Sequence, residues 1–325
     1  MLSKLSSIKE RIIHFILFVC ATVSIVTTLG IIFVLGRESI AFFSHVSPIE
    51  FLTGTEWAPT FEQARFGILP LVCGTMVIAT GALIVALPIG LGSAIFMSEY
   101  APASVRSVLK PTLEILAGVP SVVYGYFALM FVTQYVLRPL FPRTEVFNAA
   151  SAAIVVGVMI IPTISSLCDD ALRAVPRHLR EAAYALSATK LEVSTRVVLP
   201  AALSGVMAAV LLAFARAVGE TMAVAIAAGM TSNLTLDPLQ RTQTLTGFMV
   251  QISQGDTPAG SVAFQTIFAV GATLFLITLS INFIAYKVLQ RFKEVYELAF
   301  RRPFSDRVCN AVDGLASSLD WFVWA

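Results

Sequence analysis

The sequence predicts an all-α integral membrane protein with six transmembrane helices, and three observations carry that prediction. Hydrophobic residues make up 57% of the 325 and charged residues only 13%, against roughly 25% charged in soluble domains. Six apolar stretches reach the length of about 20 residues that a bilayer crossing needs. Lys and Arg collect in alternate connections between those stretches, as cytoplasmic loops do. The 23 Phe exclude a disordered chain, and four Cys without paired spacing exclude a disulfide scaffold. Cys20, Cys73 and Cys168 fall in apolar stretches and are expected to pack as small hydrophobes. A net charge of +2 argues against a nucleic-acid surface.

The expected spans are 12–35, 67–97, 111–137, 148–167, 201–230 and 262–288. The first follows Lys4, Lys9 and Arg11. Its apolar run exceeds the roughly 7 to 15 residues of a signal sequence and no A-x-A site follows, so it reads as a retained anchor. Helix breakers fall inside three spans: Pro88 with Gly90 and Gly92, Gly118 with Pro120, and Pro162 with Thr163. Kinks are ordinary in membrane helices, and Gly74, Gly81 and Gly125 allow helices to cross closely. With a cytoplasmic N-terminus, sixteen of the 22 Lys and Arg lie on the cytoplasmic side. Both termini are therefore expected there. The chain divides into an N-terminal anchor helix with its extracytoplasmic loop (1–66), a transmembrane domain (67–290) carrying a cytoplasmic loop at 177–200, and a cytoplasmic tail (291–325). In the tail, Asp320, Trp321, Phe322 and Trp324 fit either a membrane interface or a disordered end.

The loop between spans four and five holds the strongest local pattern. Leu179, Ala182, Ala183 and Leu186 recur at i, i+3, i+4 and i+7, which predicts the apolar stripe of an amphipathic helix. Arg177 and Glu181 lie four apart on its polar side. The helix should end near Ser187, because Thr189 and Glu192 have capping-box spacing and start a new one. Pro200 marks entry to the fifth span. The expected shape is a short helix, a turn and a second helix protruding as a knob. These residues resemble the EAA loop of ABC-importer permeases, E-A-A-x3-G-x9-I-x-L-P. Glu181, Ala182, Ala183, Leu199 and Pro200 match; Val197 replaces Ile and Ser187 replaces Gly. Glycine tolerates positive φ in a tight turn and serine does so at a cost. The resemblance implies that the loop docks into a cytoplasmic ATPase.

Other stretches are similar to the PstC-type permease of the phosphate-specific importer: FLTGTEWAP (51–59), LPIGLGSAIFMSEYAP (87–102), EILAGVPSVVYGYFAL (114–129), DDALRAVP (169–176), RAVGETMAV (216–224) and the segment 234–271. The likeness covers roughly 51–297 and gives out in the tail. It implies the type I ABC importer permease fold in a prokaryotic plasma membrane. It also implies a related second permease chain, two ATPase subunits that bind ATP and Mg, and an extracytoplasmic phosphate-binding protein. No cofactor is expected in this chain.

Arg216 and Glu220 are ionisable residues inside the fifth span, where a charge costs a few kcal/mol and is by default a functional hypothesis. Four residues apart, they are expected on one helical face. Two readings fit them: a self-neutralised pair that lets the helix insert, or a cation that holds an anion transiently while the carboxylate prevents a permanent trap. The PstC resemblance implicates the matching Arg and Glu in phosphate passage. Glu114, Asp169 and Asp170 are expected to form interfacial ion pairs with Arg106, Lys110, Arg173 and Arg177. Enzymatic signatures fail. Ser187 and Lys190 form S-x-x-K without SDN or KTG. His14, His45 and His178 are scattered, and no P-loop motif occurs. The alternatives to phosphate are another oxyanion importer (sulfate, molybdate or phosphonate) and, further off, a stand-alone secondary transporter.

Overall fold

The computed structural model describes residues 2–290 except 62, 256, 259, 288 and 289. The tail at 291–325, with its Trp321 and Trp324, lies outside the described residues. Among the described residues, four unbroken helices are long and apolar enough to cross a membrane: Glu10–Phe43, Leu69–Tyr100, Ala149–Ala174 and Val262–Lys287. Two further helix pairs are bent at a short break, Ala103–Ala117 with Ser121–Leu140 at 85° and Lys190–Ala201 with Leu203–Val218 at 73°, and in each the second arm is the one that falls in an expected span. Counting each bent pair as one span gives the six expected, two of them differing in shape from the expectation.

The third span was expected at 111–137. Instead, helix Ala103–Ala117 buries no residue and stops at Gly118. Pro120 supplies no N–H and disfavours helical backbone at the preceding residue, so the chain turns before it crosses as Ser121–Leu140. Pro88 and Pro162, by contrast, sit inside unbroken helices. Pro200 stands just before the bend in the other pair.

The core is the pairing of the second and fourth spans. Ala79, Ala82 and Ala86 face Ala152, Val156 and Ile160, all buried, so the two backbones approach closely. A Cβ on Gly81 would come within 2.9 Å of Ala153 Cβ, and one on Gly125 within 2.9 Å of Ala223 Cα. These two glycines make the expected close crossings. Gly74 instead meets an extended loop, at Thr242 and Gln243. Cys168 is buried in the core as expected, whereas Cys20 is exposed on the first span. That first span buries none of its apolar window in this chain.

A second cluster closes the opposite end. Phe42, Phe51, Trp57 and Phe248 are buried together, with edge-to-face contacts between Phe51 and Trp57 (6.1 Å) and between Trp57 and Phe248 (4.9 Å). A small antiparallel hairpin, Trp57 opposite Phe66 and Ala58 opposite Arg65, holds the indole in place. Loop 229–244 packs beside it and satisfies the start of the fourth span. Ala149 N donates to Gln240 O and Ala150 N to Pro238 O, while Asn148 Oδ1 accepts from Ser151 N.

Candidate functional site

Two charged regions emerge, one on the loop 177–200 and one inside the fifth span. The loop folds as its spacing predicts. Helix Arg177–Ala185 ends in a turn where Ser187 has φ 59°, the left-handed region that favours glycine. Thr189 then caps the next helix with both bonds of the capping box: Glu192 N donates to Thr189 Oγ1 and Thr189 N donates to Glu192 Oε2. The latter bond holds the Glu192 carboxyl below the usual carboxylate range. Its contribution is therefore present at neutral pH and is lost in acid, as pH falls through that lowered value.

The apolar stripe is narrower than expected. Leu179 and Ala183 pack against the core, but Ala182 is exposed and Leu186 is 85% exposed. The reason is the early end of the helix: Leu186 already lies in the turn, so it points away from the face that Leu179 and Ala183 share. Glu181, Ala182 and Ser187 line the outer surface of the knob, Pro200 is exposed, and Leu199 packs inward.

Under the knob lies a network of ion pairs. Asp169 is fully buried and accepts from Arg106 Nη2 at 2.8 Å and from Arg173 Nε at 3.1 Å, with Lys110 Nζ at 3.9 Å; Lys110 also holds Asp170 at 2.8 Å. These are the expected interfacial pairs. Glu114 and Arg177 form no ion pair among the described residues, which corrects the expectation for both. Both are fully or largely exposed, so water solvates them without a partner. Beside this network lies a buried pair that was not foreseen. Arg180 Nη2 lies 2.9 Å from Glu99 Oε1, linking residues 81 apart in sequence. A carboxylate closing an apolar span needs a partner, and that was the available signal for Glu99.

Inside the fifth span the expectation of a shared helical face fails. Helix Leu203–Val218 stops at Gly219, and a second helix starts at Met222 and runs to Ala228. Glu220 lies in the break. Its carboxylate accepts from Ala223 N at 3.3 Å, and its backbone carbonyl accepts from Thr246 Oγ1 at 2.8 Å. Arg216, one turn below, is exposed and takes part in no ion pair among the described residues. The carboxylate turns to the first turn of the next helix, just before its N-cap Thr221, and the guanidinium is left open. Thr246 belongs to helix Leu245–Gln254, whose N-terminus Thr244 caps through Gly247 N and whose first N–H donates to Thr75 Oγ1. The sequence reading missed this helix, although Thr244 before an apolar run is a start signal.

The interrupted helix at 203–228, the two-helix knob and an exposed arginine on an otherwise apolar helix are the features set beside known proteins. A model of the family described as "Binding-protein-dependent transport system inner membrane component" matches residues 86–294. The chain belongs to that family. It is an ABC importer permease, a transporter subunit and not an enzyme, multi-pass in the inner membrane. It is 37% identical to the "Probable ABC transporter permease protein YqgH" of Bacillus subtilis over 261 residues, covering 80% of this chain and 84% of that protein. It is 32% identical to the phosphate transport system permease protein PstC of Xylella fastidiosa over 274 residues, covering 79% and 82%. The resemblance to PstC-type permeases thus extends over most of the permease. Its fold matches a chain of the MetNI methionine ABC transporter in an inward-facing conformation, with a TM-score of 0.52 at 19% identity, over 70% of this chain and 94% of that one.

Proposed function

We propose that this permease carries inorganic phosphate into the cell, with Arg216 as the transient anion site and Glu220 as the residue that shapes the break beside it. The observation that carries the reading is the open guanidinium of Arg216 within a span whose neighbouring carboxylate is turned toward Ala223 N. A charge exposed at that depth needs water, a ligand or another chain against it. The surface bearing it faces the related second permease, and the anion passes between the two. Likeness to PstC proteins supports phosphate as the cargo.

The knob docks onto the ATPase through its exposed residues Glu181, Ala182 and Ser187, while Ala183 seats the docking helix against the core and Leu199 and Pro200 set its base. Two ATPase subunits bind ATP and Mg, and an extracytoplasmic phosphate-binding protein delivers the cargo. The permease itself needs no cofactor, contacts lipid and not nucleic acid, and keeps both termini cytoplasmic. Residues 67–290 form the translocating domain, 1–66 the anchor with its outer loop, and 291–325 a cytoplasmic tail.

Labelled phosphate uptake in cells lacking other phosphate carriers, with sulfate and molybdate as competitors, tests the cargo. Preferential inhibition by either competitor would replace phosphate with that oxyanion and keep the importer. Docking is tested by Glu181→Lys and Ala183→Asp, the latter placing a carboxylate against the core where a charge is costly. Both variants are expected to insert while losing ATPase co-purification and uptake. Unchanged uptake in both would remove the docking role.

A further inference from the structure

We propose that the end of the second span, Phe96–Tyr100, is where the membrane domain receives the movement of the knob, with Arg180 and Glu99 as the positioning residues of that joint. The proposal rests on the reading of the knob as the ATPase dock.

Arg180 is bonded to two elements besides its own helix. Its Nε and Nη2 both donate to Glu99 Oε1, at 3.2 and 2.9 Å. Its Nη1 donates to Val175 O at 2.6 Å and its Nη2 to Leu172 O at 2.8 Å. Those carbonyls lie at the end of the fourth span; Leu172 O also accepts from Val175 N at 3.3 Å, and the guanidinium adds a second donor there. One guanidinium therefore fastens the docking helix Arg177–Ala185 to the ends of both core spans. The Arg180 side chain is 16% exposed and that of Glu99 5%. A buried pair of this kind adds little net stability, because desolvation offsets its attraction, but its geometry is fixed. Planar, five-donor arginine makes this set of bonds, and lysine cannot.

A second contact reaches the same place independently. Lys190, which opens the other arm of the knob, sets its Nζ 5.1 Å from the centre of the Tyr100 ring. Both arms thus close on adjacent residues of one segment. That segment is π-helical, a local form with one extra residue per turn that occurs chiefly at functional positions. Glu99 gains a further donor from Ser98 Oγ at 3.1 Å. The docking surface itself points the other way, through Leu186 and Leu191, which are 85% and 63% exposed. Force entering at that outer surface leaves through Arg180 and Lys190. It reaches the second span, whose other end meets loop 229–244 and Thr242 across Gly74.

The test uses the complete importer purified from native membranes and reconstituted in vesicles, carrying Arg180→Lys, Glu99→Gln or both. ATPase association and ATP hydrolysis without binding protein are expected at wild-type levels. Phosphate taken up per ATP hydrolysed should fall about tenfold in each single variant and no further in the double, as for two residues of one coupled unit. Unchanged uptake per ATP in either single variant overturns the joint. So does an additive double variant, or uptake that falls only in proportion to lost ATPase association. Failure of the unaltered permease to purify with an ATPase would remove the docking reading and the joint with it, an outcome visible before any variant is made.

Discussion

Arg180 and Arg216 each lie near a glutamate, and they are used in opposite ways. Arg180 reaches across 81 residues to Glu99 and commits four of its five N–H donors to that carboxylate and two helix-end carbonyls. Arg216 has Glu220 four residues away and does not touch it, because the helix between them breaks and the carboxylate turns to the first turn of the next one. Sequence distance says little about which pair closes. What decides is whether the surrounding backbone supplies competing partners. A closed arginine holds structure together, and an open one is free to meet a ligand.

The sharpest way to break this contrast is to remove the carboxylate of the most enclosed network. Asp169→Asn removes the buried carboxylate that Arg106 and Arg173 share; both guanidinium groups still reach solvent, so the cost is expected at about 1.5 to 3 kcal/mol. A drop in the thermal melting point of the detergent-solubilised importer measures it. A stable variant would mean that water reaches this network and that it is not closed at all. Arg216→Ala should do the reverse, leaving the melting point unchanged. It should reduce phosphate uptake about 10- to 100-fold, the loss of one charged hydrogen bond of roughly 1.5 to 3 kcal/mol. Full uptake would make Arg216 a bystander.

Glu220 divides into two roles that two substitutions separate. Glu220→Ala loses the bond from Ala223 N and is expected to cost about 1 kcal/mol of stability. Glu220→Gln keeps an acceptor for that bond and should melt like the unaltered protein while still slowing release of the anion. Equal melting of both variants would show that the bond contributes nothing. The smallest effect belongs to Ser187→Gly. It relieves a left-handed serine that costs roughly 1 to 2 kcal/mol in the fold, offset in part by the greater freedom of unfolded glycine. Uptake should be unchanged and the melting point equal or slightly higher. A collapse of transport would give the hydroxyl a specific role.

The knob was legible because its signals are local. Thr189 and Glu192 meet within one turn, and Ser187 occupies the position where a glycine was anticipated and takes the conformation a glycine would. Arg106, Lys110, Asp169, Asp170 and Arg173 were legible as a group because charges at the edge of an apolar span have to find one another. The break at residue 219 was not. Residues 201–230 read as one apolar run, and what holds the interruption open is the Thr246 hydroxyl on Glu220 O, a tertiary contact from a helix the apolar pattern did not reveal. The Arg180–Glu99 pair was hidden for the same reason, since nothing near either residue names the other. The turn at Gly118 was marked by Pro120, but a breaker in a membrane helix fits a kink and a full turn equally well.

Among the described residues, three helical stretches are wound one residue looser than their neighbours, at Phe96–Tyr100, Ala128–Leu137 and Val193–Val198. Each delays the angular phase of the helix, by roughly 100° for every extra residue, so side chains on either side of it no longer keep one rotational register. The second span thereby aims its small residues at the fourth span along most of its length and Glu99 at the knob near its end. A chain shortened by one residue at such a point would remain helical yet turn everything downstream through that angle. Insertions and deletions there retune the direction of a whole face, a change that no substitution of a side chain can reproduce.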